Sequence, residues 1–284
     1  MIPNPQFNNL PLSFWAHVRS LSQSLGYTIR GTGDVRTHSI SQISEGMSRL
    51  GLATQHIIDE NKKPSPLGQL LVDYFTFRAD VLNTNVRNHL MDKTKAEEVF
   101  EGLKSTLNPK CPLPMNKQKG DKKKPAFLTG IVNILIEQHS QSCPVNYDPR
   151  QLTTIVLNNE PIRTMARRVD GAFPSAINPI AIWEIKEYYY TKTFGSRVAD
   201  GVYETLLDGL ELDELEKSER IKVLHYLFVD DYFTWWTCGK SYLCRLIDIM
   251  HMGYVDEIIF GQEVLERLPI LVREWCVKNT LHKV

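Results

Sequence analysis

The segment Lys222–Val229, KVLHYLFV, constrains the fold more than any other part of the 284-residue chain. It is apolar almost without interruption, whereas a strand with one face in water alternates apolar and polar side chains. Such a run is typical of a strand that is covered on both faces of a sheet. We therefore expect Lys222–Val229 to be a strand with helices packed above and below it.

Further strands and helices alternate around this run. Two β-like runs, Arg167–Phe173 and Ile180–Tyr190, are separated by PSAINP, whose prolines and asparagine suit a hairpin connection. An amphipathic helix follows, marked by apolar residues at helical spacing from Phe194 to Leu210. The order ends with a helix at Ser241–Met252, a strand at Val255–Gly261 and a terminal helix from Gln262. It predicts a mixed α/β fold with a central mixed sheet flanked by helices.

The first 108 residues have a helical pattern. Ser39 is placed to N-cap a helix, with Gln42 at the capping-box position. Ser65 before a proline opens a second periodic stretch, which runs to about Met91. We therefore expect residues 1–108 to form a helical subdomain. Residues 109–125 are rich in proline and lysine without apolar periodicity, which predicts a basic linker before a core at 126–284.

Composition restricts the class of protein. The formal net charge is zero, which does not by itself indicate a nucleic-acid-binding protein. The first 125 residues carry about six more basic than acidic residues, so the remainder is acidic. The five cysteines are scattered and never spaced as CxxC, which favours reduced thiols in a cytoplasmic protein over disulfides or a structural zinc site. No apolar run is long enough to cross a bilayer and no secretory signal is present, so we expect no membrane association.

Three charged residues stand out in the predicted hairpin. Glu184 and Lys186 lie near the end of an apolar strand, and strand alternation places both side chains on the same face. If the two strands pair, Asp170 can lie beside Glu184 with its carboxylate on that face. Adjacent carboxylates suit Mg²⁺, which can polarise a phosphate and lower the pKa of a bound water. The lysine could orient or deprotonate that water, or stabilise the charged transition state.

An aspartate, a gap of about a dozen residues and then Glu-x-Lys resembles the PD-(D/E)xK nuclease superfamily, especially type II restriction endonucleases. The likeness extends over roughly residues 126–261, because the following helix and the strand at 222–229 match the core order of that family. Val169 stands where the motif of the family has a proline.

The resemblance implies a restriction-endonuclease-like core and a set of roles. Asp170, Glu184 and Lys186 would be catalytic; Asp170, Glu184, the backbone carbonyl of Ile185 and Glu137 would ligate the metal. Many members carry an acid on the helix before the hairpin, where Glu137 lies, although a helix end in solvent explains Glu137 equally well. The resemblance implies Mg²⁺, with Mn²⁺ as a substitute, and site-specific cleavage of double-stranded DNA by a bacterial homodimer. We expect no nucleotide cofactor.

Other basic residues near the hairpin are candidates for phosphate contacts. They are Arg163, Arg167, Arg168, Lys192 and Arg197. The alternative is that they are ordinary charges at the edges of strands and helices.

Three further interpretations remain open from the sequence. Asp170, Glu184 and Lys186 could be the solvated face of an edge strand. The same core could serve a structure-specific repair or recombination nuclease. The helical subdomain, with Arg36 and Arg49 near a capped helix at 39–52, could be a helix-turn-helix in a non-catalytic regulator, or could serve for DNA recognition or dimerisation.

Overall fold

The computed structural model describes residues 1–8, 10–116, 124–141, 143–190 and 195–281. Its helices are α1 (Leu12–Leu25), α2 (Ile40–Arg49), α3 (Pro66–Asp80), α4 (Arg87–His89), α5 (Lys93–Leu107), α6 (Phe127–His139), α7 (Ser196–Glu219), α8 (Lys240–His251) and α9 (Val264–Leu281). Its strands are β1 (Thr154–Leu157), β2 (Glu160–Thr164), β3 (Gly171–Phe173), β4 (Ala181–Glu187), β5 (Leu224–Asp230) and β6 (Glu257–Phe260). A π-helical segment, Val81–Val86, joins α3 to α4.

The main sheet has the order β3-β4-β5-β6 and confirms the predicted mixed α/β fold. β3 pairs antiparallel with β4, whereas β4, β5 and β6 are mutually parallel. β5, the apolar run from which the prediction started, is an inner strand, and its residues after Leu224 are all buried. Parallel strands need crossover connections, and α7 and α8 supply them.

Strand alternation divides β4 between two packed layers. Glu184 and Lys186 face α7 and α8, in the layer that contains Leu227 and Val229 of β5. Trp183 faces α6 and α9 and stacks on Trp275, with ring planes 10° apart. The strand is therefore an inner one that helices cover on both faces, and the interpretation of Glu184 and Lys186 as the solvated face of an edge strand is wrong.

The strands differ from the prediction at their ends. Arg167–Asp170 precede β3 and are not part of it, because only Gly171–Phe173 pair along β4. The hairpin β1–β2 was not predicted at all. Its signal is Asn158-Asn159, both left-handed (φ 52° and 66°), because asparagine tolerates the two positive φ angles of a tight hairpin turn.

The N-terminal helices begin where their capping signals predict. Ser39 and Gln42 form the reciprocal capping box of α2, and Ser65 caps α3. α5, however, packs on α6, in the core on the face of the sheet that α6 and α9 cover. The sequence grouped α5 with the helices before residue 108. None of the helices in the described ranges combines the length and apolar content that crossing a lipid bilayer requires.

A buried ion pair joins the N-terminal helices to α8, in the layer that α7 and α8 form on one face of the sheet. Arg78 of α3 is fully buried and donates to both carboxylate oxygens of Asp248 of α8, at 2.9 and 3.1 Å. The Tyr74 hydroxyl donates to the same carboxylate at 2.6 Å. Because each charge is removed from water, each depends on its partner to offset the cost of burial.

We predict that Arg78→Met or Asp248→Leu alone lowers the free energy of unfolding by about 3–5 kcal/mol, because each leaves an uncompensated buried charge. The double variant should recover a large part of that loss, since it removes both charges. Urea unfolding of the four proteins measures the coupling. If the losses of the two single variants simply add in the double variant, the coupling between Arg78 and Asp248 is absent and the prediction fails.

Candidate active site

Asp170 and Glu184 lie opposite one another on one face of the sheet. Gly171 pairs with Trp183, so Asp170, one residue earlier, is opposite Glu184. The Asp170 N–H donates to the Trp183 carbonyl at 3.1 Å and to Glu184 Oε1 at 3.2 Å. In return the Ile185 N–H donates to Asp170 Oδ2 at 2.9 Å. The two carboxylates therefore have the relative placement that the sequence predicted.

Lys186 completes the predicted group from the same strand. Its Nζ donates to Glu184 Oε2 at 2.8 Å and to Glu204 Oε2 of α7 at 2.7 Å. Gly201 of α7 makes room for it, since a Cβ there would lie 3.3 Å from Cδ of Lys186 and 3.0 Å from the Tyr188 hydroxyl. The lysine chain is therefore confined between β4 and the first turns of α7.

Arg167 turns inward and lies among three carboxylates. Its guanidinium is 3.0 Å from Glu184, 2.6 Å from Asp208 and 3.3 Å from Glu204. Asp208 is fully buried, and its Oδ1 has no hydrogen-bond partner among the residues that the structure describes. We call Arg167, Asp170, Glu184, Lys186, Glu204 and Asp208 the charged cluster.

Glu204 and Asp208 were not among the residues predicted from the sequence. They are four residues apart on α7, so they lie on the same side of that helix. This spacing in the helix after Glu-x-Lys is a usable signal. It becomes informative only when the docking of α7 on the sheet is known, because polar residues at such spacing also occur on solvated helix faces.

The charges of the cluster shift one another's pKa values. Burial opposes ionisation of Glu184, but Lys186 and Arg167 hold the pKa of Glu184 below its ordinary value. Burial also opposes the charge on Lys186, yet its carboxylate neighbours raise the pKa of Lys186. Burial and the Glu184 charge raise the pKa of Asp208 to about 7. Asp170 is solvent-exposed as a residue, but burial of its sheet-facing carboxylate, followed by the Glu184 charge, raises the pKa of Asp170.

Glu137 does not join the cluster. It lies in the last turn of α6 and accepts hydrogen bonds from the Lys110 N–H, at 2.9 and 3.2 Å. The first turn of α6 is the end that meets β4, where the Glu187 carboxylate accepts from the Leu128 N–H at 2.6 Å. Glu137 is therefore about 13 Å further along the helix from Leu128, and in the described part of the chain its carboxylate accepts from Lys110 and not from a residue of the charged cluster. Its role as a metal ligand stays a prediction.

The remaining basic candidates separate into engaged and exposed residues. Arg163 pairs with Glu211 at 3.2 Å and with Glu214 at 2.6 Å, so it is bound to α7. Arg168 and Arg197 are exposed, and Lys192 lies outside the described residues. Of the helix-turn-helix candidates, Arg49 pairs with Glu45 and Arg36 donates to the Leu25 carbonyl.

Within the described ranges, no group of three or more His, Cys, Asp or Glu side chains is arranged to hold a metal ion. In the charged cluster, Arg167 and Lys186 occupy both carboxylate oxygens of Glu184. Asp170, opposite it, is exposed as a residue, and its Oδ2 accepts from the Ile185 N–H. Its carboxylate and that of Glu184 are hard oxygen donors on one face, the type of ligand that Mg²⁺ prefers.

Comparison with known proteins adds membership of a family but no activity. Residues 1–85 match the model of a family described as a domain of unknown function, DUF7690. Residues 91–275 match a second, likewise described as a domain of unknown function, DUF7687. No curated protein and no solved structure matches the chain. Because the second match spans more than half of the chain and contains the whole charged cluster, this protein belongs to the DUF7687 family.

Proposed function

We propose that this chain is a Mg²⁺-dependent endonuclease that hydrolyses phosphodiester bonds in double-stranded DNA, with the charged cluster as its active site. The observation that carries the proposal is the placement of Asp170 and Glu184 opposite one another, with Lys186 on the same face. Mg²⁺ would supply polarisation of the phosphate and a water of lowered pKa. Asp170 and Glu184 are the residues that would hold it.

Lys186 has a definite role in this proposal. Its carboxylate neighbours raise its pKa, so the side chain is a cation at neutral pH. A charged ammonium cannot take a proton from water, which leaves orientation of the water and stabilisation of negative charge on the phosphate. In the metal-free cluster, the raised pKa of Lys186 favours two of the three roles that the sequence left open.

Arg167 acts as an internal counter-ion in the same proposal. It neutralises Glu184 and Asp208, so a metal cation and Arg167 compete for the same carboxylates. Its neighbour Arg168 is exposed beside Asp170. An Arg167 side chain released from Glu184 would therefore join a basic surface suited to DNA phosphates.

Restriction-type cleavage, with a homodimer acting on a palindrome, is the form of this activity that we propose. Defined fragments from intact duplex would support it, and preference for nicks, flaps or junctions would instead indicate a structure-specific nuclease. The mass of the protein in solution, with and without duplex, tests the dimer.

We predict that Asp170→Asn and Lys186→Ala each slow plasmid cleavage in Mg²⁺ by about 100-fold or more, the usual loss when one charge-stabilising group is removed. Lys217→Ala is the matched control, because Lys217 is an exposed lysine of α7 that pairs with Asp213, outside the charged cluster. Gel analysis of supercoiled plasmid gives the rates. Cleavage by both active-site variants at the wild-type rate would overturn the site assignment.

We predict that Arg167→Met binds Mn²⁺ about tenfold more tightly than the wild type, because removal of a competing cation contributes on the order of 1.4 kcal/mol. Calorimetry without DNA measures this directly, and DNA cleavage should become slower because a phosphate contact is lost. Arg163→Met is the control, since Arg163 pairs outside the charged cluster. An unchanged Mn²⁺ affinity would contradict the competition.

A further inference from the structure

A cavity of about 480 Å³ lies between α1, α7 and α8, away from the charged cluster. Val202 and Leu206 of α7 line it. Glu204 and Asp208 project from a different side of the same helix. Residues 1–85 and 91–275, the two family regions, both contribute to its wall. A ligand there would contact both regions at once.

The cavity carries more positive charge than the protein neutralises. Arg19 and Arg245 line it, and neither forms an ion pair with a carboxylate in the described part of the chain. Arg245 contacts hydroxyl groups instead, those of Tyr27 at 3.5 Å and Tyr203 at 3.3 Å. Asp248, the acid in the lining, is already paired with Arg78. Donor groups on two guanidiniums are therefore left for an anion.

Aromatic and aliphatic surfaces lie beside these cations. The Tyr27 ring centroid is 5.8 Å from the guanidinium carbon of Arg245 and 5.8 Å from that of Arg78. Tyr203, which also lines the cavity, is 55% exposed. Val202 and Leu206 form an apolar part of the wall. A planar ring attached to the anion would pack against these surfaces.

We propose that this cavity binds a nucleotide unit, with the phosphate on Arg19 and Arg245 and the base against Tyr27 and Tyr203. The volume is within the range of small-molecule sites. The site is assembled from three distant segments, so it leaves no contiguous motif, and from the sequence we expected no nucleotide cofactor. The inference goes beyond the proposed nuclease activity and does not depend on it.

Calorimetry with AMP, inorganic phosphate and adenosine, in the absence of metal and DNA, tests the proposal. We expect AMP to bind at least tenfold more tightly than phosphate or adenosine, since it alone offers both groups. Arg245→Met should weaken AMP binding tenfold or more. Tyr203→Ser, at a position that is 55% exposed, should weaken it several-fold. Arg49→Met is the control, because Arg49 is an exposed arginine outside the cavity.

Absence of saturable AMP binding, or equal binding by wild type and Arg245→Met, would overturn the proposal. Phosphate alone binding as tightly as AMP would do so too, because the ring would then contribute nothing. A 5′-phosphorylated oligonucleotide that displaces AMP would identify the source as a nucleic-acid end, and failure to displace it would indicate a free nucleotide. Since no cleavage is measured, failure of the nuclease proposal leaves these outcomes unchanged.

Discussion

The side chain of Glu184 is 1% exposed, and the charges around it are arranged to offset the cost of that burial. Arg167 and Lys186 neutralise its charge. Both side chains are themselves cations, however, and they lie between the sheet and α7. They in turn need Glu204 and Asp208, which only α7 supplies. The packing of α7 on the sheet and the charged states of Glu184 and Lys186 therefore depend on each other. Gly201 permits the close approach of α7 to β4 that both require.

Much of the layout follows from periodicity. The apolar run at 222–229 predicted a strand covered on both faces, and alternation placed Glu184 and Lys186 together because side chains leave a strand on alternate faces. Asp170 depended on the hairpin register, which turn composition alone does not determine. The partners of Arg167 on α7 could not be predicted from the sequence. Glu204 and Asp208 lie 37 and 41 residues further along the chain. Periodicity also does not say which end of α6 meets β4; Glu187 binds the first turn of α6, whereas Glu137 lies in its last turn beside Lys110.

The opposite face of the sheet shows a second use of carboxylates at strand ends. Glu187, the last residue of β4, accepts from the first amides of α6, and Asp230, the last residue of β5, accepts from the Met91 N–H at 2.7 Å. Asp230 is buried, and that burial raises its pKa to about 8 despite the donated hydrogen bonds. Acids on one side of β4 and β5 thus position the chain. Those on the other side pair with Arg167 and Lys186.

The pair Arg78–Asp248 crosses the boundary between the two family regions, so neither region buries its charge alone. This has an evolutionary consequence. A gene that recombined the 91–275 region with another N-terminal partner would inherit a buried aspartate without its cation. Such a fusion would persist only with a new cation or with an uncharged residue at 248. We therefore expect the two regions to occur together in related genes, with residues 78 and 248 substituted as a pair.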